Sequence, residues 1–230
     1  MAELILALDT PRGADALRLL DRLPELRWVK VGSILMTREG PDFVRELTAR
    51  GLKIFLDLKW HDIPNTVAGA VTAAREIGVS MATVHTLGGR VMLEAAVVAA
   101  GGELSLVGVT VLTSHEPAGY ARALGRPEAD IPHEAERLAL VAAECGLQGV
   151  VCSPQEVSLL RRRLGPDLLI VVPGIRRRTD AAGDQVRVAT ARDAVANGAT
   201  HLVVGRPVLQ ASDPAAAFED FMQEARCIGS

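Results

Sequence analysis

The sequence is poor in aromatic residues and in cysteine. Aromatic residues make up 3% of the 230 positions, while hydrophobic residues in total make up 49%. The three cysteines, Cys145, Cys152 and Cys227, have the spacing of neither a disulfide framework nor a zinc site. Such a composition fits a core of branched aliphatic side chains under small helices, and it argues against intrinsic disorder.

The chain also lacks a basic charge balance and a long apolar run. Its net charge is −3 at pH 7, which favours no nucleic acid partner. No apolar run approaches the roughly 20 residues that cross a bilayer. A strand-like run begins almost at Met1 and leaves no room for a signal peptide. We therefore expect a soluble, cytoplasmic protein with neither a nucleic acid nor a membrane partner.

Lysine is scarce, and its positions are informative. Lysine occurs only at positions 30, 53 and 59, so 22 of the 25 lysine and arginine residues are arginine. Arginine keeps its proton in proteins, whereas lysine can donate one and be reprotonated. Lys59 lies between two acids, Asp57 and Asp62, directly after an apolar run. This segment therefore predicts a catalytic role for these residues in preference to a structural role in packing.

Short apolar runs alternate with amphipathic segments along the whole chain. The runs are nearly continuous in Val, Ile and Leu, which is typical of strands buried on both faces of a parallel sheet. Eight runs occur, at 4–8, 28–31, 54–58, 81–84, 104–112, 149–152, 168–172 and 202–204. The helix-like segments are 14–23, 42–50, 65–77, 89–100, 133–145, 154–164, 190–197 and 214–225.

Eight strand–helix units in a chain of this size predict an α/β fold, a (β/α)8 TIM barrel, as one domain over residues 1–230. A doubly wound open sheet is the alternative. That fold usually carries a glycine-rich turn after its first strand, but the turn at 9–13 lacks the G-x-G-x-x-G pattern.

Polar residues follow the predicted strands at the positions where a barrel places its functional groups. Asp9 ends the first strand, Lys30 the second, Asp57 and Lys59 the third, and Thr113 the fifth. Residues two apart on a strand project from the same face, so the third strand offers an acid and a base together. An acid–base network that keeps lysine protonated is one interpretation. A structural ion-pair cluster that ties the strands together is the other.

The last two strands end in residues suited to phosphate. Barrels commonly bind phosphate with backbone N–H groups after strands seven and eight, and arginine adds a permanently charged fork. Arg176 follows the seventh strand, and Gly205 and Arg206 follow the eighth. The long polar segment 175–188 contains Gln185 and either covers a bound dianion or is a solvated loop.

Together these residues resemble the orotidine 5′-phosphate decarboxylase family in its short bacterial form. The segment D-L-K-W-H-D-I-P-N-T at 57–66 matches the family signature D-x-K-x-x-D-I-x-x-T. The first part of that signature is shared with related phosphosugar barrels. The extension D-I-P-N-T, with G-D-Q at 183–185 and G-R-P at 205–207, makes the match specific.

The resemblance implies decarboxylation of orotidine 5′-monophosphate to UMP and CO2, the last step of UMP synthesis, without metal or other cofactor. It implies that Lys59 protonates C6 of the pyrimidine and that Asp57 lies beside the departing carboxylate. Asp9 and Lys30 are expected to contact the ribose hydroxyls and complete the charge array. The expected catalytic residues are Lys59, Asp57, Lys30 and Asp62.

The resemblance also implies a homodimer with shared active sites. Asp62, Ile63 and Thr66 are expected to reach the site of the neighbouring subunit. Three further expectations concern the nucleotide: Thr113 lies near the pyrimidine, Gln185 bridges base and phosphate, and the phosphate is held by Arg176, Gly205 and Arg206.

Two other functions remain open from the residues. One is a decarboxylase or aldolase of the same superfamily that acts on a sugar phosphate with Mg2+, and the other is a non-catalytic sensor of nucleotide phosphates. His61, within the motif, is interpreted as a structural loop residue, and the triplet 161–163 as the solvated end of a helix.

Overall fold

The computed structural model describes residues 2–177, 180 and 187–226. Eight parallel strands form a closed barrel in chain order, because β1 pairs with β8 as well as with β2. The strands are β1 (Glu3–Ala7), β2 (Trp28–Gly32), β3 (Lys53–Trp60), β4 (Met81–His85), β5 (Ser105–Val109), β6 (Gly149–Val151), β7 (Leu169–Val172) and β8 (His201–Val204). The predicted (β/α)8 barrel is confirmed, and the open-sheet alternative is wrong.

Each predicted amphipathic segment contains a helix. The helices are α1 (Gly13–Leu20), α2 (Ser33–Ala49), α3 (Pro64–Glu76), α4 (Gly89–Ala100), α5 (Pro117–Ala123), α6 (Ile131–Glu144), α7 (Val157–Leu164), α8 (Ala191–Ala196), α9 (Arg206–Leu209) and α10 (Pro214–Arg226). A 3-10 turn (Thr86–Gly88) lies before α4. None of the described helices is long and apolar enough to cross a membrane.

Helix α2 differs from its prediction at the N-terminal end. The sequence predicts a start near Gly40-Pro41, and the backbone does break there, with φ 72° and ψ −169° at Gly40. A preceding helical segment from Ser33, however, leads directly out of β2. The short helices α5 and α9 were not predicted, since neither is long enough to show a helical period.

The core has two layers, which follow from the alternation of side chains along the strands. Ile5 and Ala7 of β1 point into the barrel, while Leu4 and Leu6 pack outward against the helices. The inner layer also contains Trp28, Phe55, Met81, Val107, Val171 and Val203. Aliphatic and aromatic side chains thus fill the lower barrel and leave its carboxyl end for polar groups.

Candidate active site

A cavity of about 600 Å³ opens at the carboxyl ends of the strands. Its floor is apolar, formed by Ala7, Phe55, Val151 and Val203. The wall contains eight of the residues singled out from the sequence, namely Asp9, Lys30, Asp57, Lys59, Thr113, Arg176, Gly205 and Arg206. Residues from six different strand ends therefore converge on one site, as the barrel topology requires.

Asp57 is the centre of a chain of alternating charges. Lys59 Nζ donates to Asp57 Oδ1 at 2.8 Å, and Lys30 Nζ lies 3.6 Å from Asp57 Oδ2. Lys30 also donates to Asp9 Oδ1 at 3.2 Å. The hydroxyl of Thr83 donates to Asp57 Oδ1 at 3.2 Å. The four charged side chains thus form one network, in the order Asp9, Lys30, Asp57, Lys59.

Two opposing effects act on the pKa of Asp57. Burial raises the pKa, because the charged form loses contact with water. The attraction of Lys30 and Lys59, together with hydrogen bonds from Lys59 and Thr83, lowers it by more. The net pKa lies below its ordinary value, so Asp57 is ionised at neutral pH and holds both ammonium groups in place.

The backbone at Lys59 is unusual. Its φ of 53° makes it the one non-glycine residue with positive φ in the described part of the chain. The pairing of β3 with β4 shifts at this point, since Leu56 pairs with Ala82 and Trp60 with Val84. Such a left-handed conformation costs roughly 1–2 kcal/mol for an L-residue, and strain of this kind clusters at functional sites.

The irregular strand corrects one step of the sequence analysis. Regular alternation was expected to bring Asp57 and Lys59 to the same face, but a bulge brings them together instead. Thr83 of β4 stabilises that bulge, because its hydroxyl oxygen accepts a hydrogen bond at 2.8 Å from the backbone N–H of Lys59. Sequence reasoning missed Thr83. Its signal was a polar residue inside the otherwise apolar run 81–84.

Glycine at position 32 was a second omission from the predicted site. A Cβ added there would lie 3.1 Å from Lys30 Nζ and 3.6 Å from Asp9 Oδ1. Any side chain would therefore crowd the head of Lys30 and its carboxylate partner. Glycine at the end of β2 thus leaves room for the ammonium group.

The β7 and β8 side of the cavity is cationic. Arg176 is 6% exposed, and its Nη1 donates to the carbonyl of Ile175 at 2.8 Å. Its backbone N–H donates to the carbonyl of Ala189 at 2.9 Å, which joins the two ends of the segment after β7. Arg206 is half-buried at the first position of α9, directly after Gly205. The two guanidinium groups suit an anionic ligand.

The sequence matches one protein family over almost its whole length. The family model described as Orotidine 5'-phosphate decarboxylase / HUMPS family matches residues 2–221. A protein of Halorhodospira halophila named orotidine 5'-phosphate decarboxylase is 51% identical, over 98% of this chain and 97% of the relative. One of the same name from Alkalilimnicola ehrlichii is 50% identical, over 97% and 96%.

The chain belongs to the orotidine 5′-phosphate decarboxylase family. A solved structure agrees with this assignment. The crystal structure of orotidine 5'-phosphate decarboxylase from Lactobacillus acidophilus has a TM-score of 0.87 and 36% sequence identity, and the match covers 99% of this chain and 100% of that one. The resemblance inferred from the motifs is therefore confirmed.

Three residues of the decarboxylase signature do not line the cavity of their own chain. Asp62, Ile63 and Thr66 lie in the β3–α3 loop and the first turn of α3, and all three are exposed. Asp62 Oδ1 accepts a hydrogen bond from the backbone N–H of Ile63 at 2.6 Å, and Ile63 is 67% exposed. The loop is thus shaped locally by its own hydrogen bond, and these three residues are open to solvent.

Gln185 lies outside the described residues, as do Cys227 and most of the segment between Arg176 and Arg187. His61 and Arg161, which were also interpreted from the sequence, lie within the described residues. His61 is exposed and stacks on His85 at 5.5 Å between ring centroids. Arg161, interpreted from the sequence as solvated, instead donates to the carbonyls of Gly165 and Gly198 at 2.6 and 2.8 Å, so that interpretation is wrong for this residue.

Proposed function

We propose that this chain decarboxylates orotidine 5′-monophosphate to UMP and CO2, the last step of pyrimidine nucleotide synthesis, without a metal or organic cofactor. Family membership supports the substrate and the reaction class. The observation that carries the mechanism is the ammonium of Lys59, held at 2.8 Å by the partly buried Asp57 in the wall of the cavity of about 600 Å³.

Lys59 supplies the group that such a reaction needs. When the bond from C6 to the carboxylate breaks, CO2 leaves and the electron pair remains on C6 in the plane of the pyrimidine ring. No electron sink is conjugated to that orbital, so a positive charge fixed in advance is the most effective stabilisation. Lys59 then transfers a proton to C6 and is reprotonated from water.

Asp57 orients that ammonium, and Lys30 contacts the other carboxylate oxygen of Asp57 at 3.6 Å. The hydrogen bond from Lys59 Nζ to Asp57 Oδ1 limits the positions that Nζ can take. Asp9 and Lys30, linked at 3.2 Å, are proposed to bind the ribose hydroxyls. This arrangement lets one network bind the sugar and position the proton donor.

The anionic end of the nucleotide is proposed to bind at β7 and β8. Arg176, Gly205 and Arg206 line that side of the cavity. These three residues would hold the phosphate, and Gln185 would bridge phosphate and base. Thr113, after β5, would lie beside the pyrimidine. Binding energy from a phosphate remote from C6 can be used to align the reacting carbon with Lys59.

We further propose a cytoplasmic homodimer with shared sites. The exposure of Asp62, Ile63 and Thr66 supports a role toward a second subunit, because they are not used by their own cavity. Val91 and Val98 on the neighbouring helix α4 are 71% and 81% exposed. Large apolar side chains exposed on the helix beside α3 are consistent with a covered surface.

The test is ultraviolet monitoring of orotidine 5′-monophosphate loss with and without EDTA. We expect full activity in EDTA. Activity that disappears in EDTA and returns with Mg2+ would favour a metal-dependent enzyme of the sugar-phosphate type. Tight UMP binding without CO2 release would favour the sensor. Lys53→Ala is the matched control for lysine variants, because Lys53 is exposed at the opposite end of β3.

A further inference from the structure

One buried ion pair lies just behind the cavity wall. Arg187 Nη1 and Glu156 Oε1 are 2.5 Å apart, and the two residues are 6% and 1% exposed. Neither residue lines the cavity. Their position separates them from the charge array, and the mechanism above does not use them.

The pair connects the ends of two neighbouring strands. Glu156 Oε2 accepts a hydrogen bond at 3.0 Å from the backbone N–H of Ser153, which follows β6. Arg187 Nη2 donates to the carbonyl of Leu112, after β5, at 3.0 Å. A longer contact of 3.4 Å joins the same nitrogen to the carbonyl of Val111. The pair therefore fixes the backbone after β5 relative to the backbone after β6.

Both of these backbone segments form the cavity wall. Leu112 and Val111 line the cavity themselves, and Thr113 is the next residue in the chain. On the β6 side, Cys152 lines the cavity and directly precedes Ser153. A shift of either anchor would move a residue that faces the ligand.

Stability alone is a weak reason for such a pair. Two charges removed from water lose hydration, and a well-packed apolar pair of similar volume often stabilises a fold as well. A planar guanidinium fork, in contrast, sets the distance and angle between the groups that it joins. The ion pair therefore fixes the relative positions of the backbone groups that it joins, whereas an apolar pair would not fix them.

We propose that Glu156 and Arg187 are positioning residues that hold the β5 and β6 side of the cavity, and with it Thr113, in the arrangement that the reaction needs. This inference rests on the proposed decarboxylase function. It assigns to the pair no contact with substrate.

Glu134 provides a matched control. It is 6% exposed and pairs with Arg126 at 2.5 Å and with Arg137 at 3.0 Å, yet it lies on α6 away from the cavity. Glu134→Gln and Glu156→Gln each remove one buried carboxylate charge from an arginine contact. A difference between them in turnover, at a similar loss in Tm, separates positioning from stability.

The experiment measures kcat and KM for orotidine 5′-monophosphate, the Kd of UMP, and Tm. We expect Glu156→Gln to lower kcat by about tenfold or more, since small displacements of positioned groups cost that much or more. The Kd of UMP should change by less than about threefold, because the pair touches no ligand group. Glu134→Gln should keep kcat within about twofold of the wild type. The double variant Glu156→Met with Arg187→Met should regain Tm relative to either single variant, but not kcat.

Several results would overturn the proposal. Wild-type kcat in Glu156→Gln would do so, as would equal losses of kcat in Glu156→Gln and Glu134→Gln. Recovery of kcat together with Tm in the double variant would assign the pair to stability, and so would failure of every Glu156 and Arg187 variant to fold. A wild-type protein that releases no CO2 would instead refute the proposed function itself.

Discussion

Lys59→Ala is the variant that tests the mechanism most directly. The substitution removes the ammonium that lies 2.8 Å from Asp57, while Asp57 keeps its contacts with Lys30 at 3.6 Å and with Thr83 at 3.2 Å. The backbone hydrogen bond from residue 59 to Thr83 does not depend on the side chain. We therefore expect the barrel and the nucleotide-binding groups to remain in place.

The loss of turnover can be estimated from charge separation. A unit positive charge about 3 Å from the developing carbanion, at an effective dielectric of about 20, is worth roughly 5–6 kcal/mol. A loss of that size lowers the rate by about 10⁴-fold. Proton delivery to C6 is lost as well and contributes typically about 10²-fold or more. The expected fall in kcat is therefore at least about 10⁴-fold.

The assay needs a background free of contaminating enzyme, so the variant should be made in a host that lacks its own orotidylate decarboxylase. UMP binding by calorimetry reports on the rest of the site and should weaken by less than about tenfold. Lys53→Ala controls for the loss of a lysine from β3. A Lys59→Ala protein that keeps a tenth of wild-type kcat would refute the proton-donor role. Loss of UMP binding together with turnover would show that Lys59 maintains the site as a whole.

Four further outcomes are expected. Arg206→Ala should raise KM by about 10–100-fold, the value of a charge-assisted contact, and an unchanged KM in steady-state assays would rule out a phosphate role. Mixing equal amounts of Lys59→Ala and Asp62→Ala subunits under conditions of subunit exchange should recover up to about a quarter of wild-type activity, because about half of the dimers are then mixed and each mixed dimer has one intact site. Mixed dimers that form but show no activity would contradict shared sites. Lys59→Gly should unfold at a higher temperature than Lys59→Ala in thermal denaturation, because residue 59 has φ 53° and glycine accepts positive φ without strain. Burial and the nearby charges of His61 and Lys59 lower the pKa of His85 from 6.5 to about 4. Neutral His85 therefore contributes to the free energy of unfolding above pH 6.5, and this contribution is lost as the pH falls toward 4. In denaturant unfolding between pH 6.5 and 4, the free energy of unfolding of His85→Asn should fall by less than that of the wild type.

The barrel could be predicted because its strands are buried on both faces. Runs such as 168–172 are continuous in Leu, Ile and Val, and each is followed by a segment with helical periodicity. The same reasoning located the residues of the candidate site, since a polar residue at the end of a run must lie near the carboxyl end of the barrel. Asp9, Lys30, Asp57 and Arg206 each lie near or just beyond the end of such a run, and all four line the cavity.

The features that sequence did not predict depend on contacts between elements distant in the chain. The bulge at Lys59 requires a hydroxyl from Thr83 on the next strand, and no local pattern around Lys59 signals a left-handed backbone. The pair of Glu156 and Arg187 joins residues 31 apart. The sequence places Glu156 near the start of the predicted helix 154–164. Only the fold shows that its carboxylate is buried.

The charge array follows from the strand order and register of the barrel. Asp57 pairs with Gly32 in the β2–β3 register, and Lys30 pairs with Ala7 in the β1–β2 register. These pairings bring the Lys30 side chain between carboxylates from the two flanking strands. A slip of one residue in either register would turn Lys30 away from its partners, because side chains alternate between the two faces of a strand. The charge network can therefore exist only when β1, β2 and β3 pair in the correct register, so a measurable interaction between Lys30 and Asp57 in a double-mutant cycle would report on the β2–β3 register and on the candidate site at once.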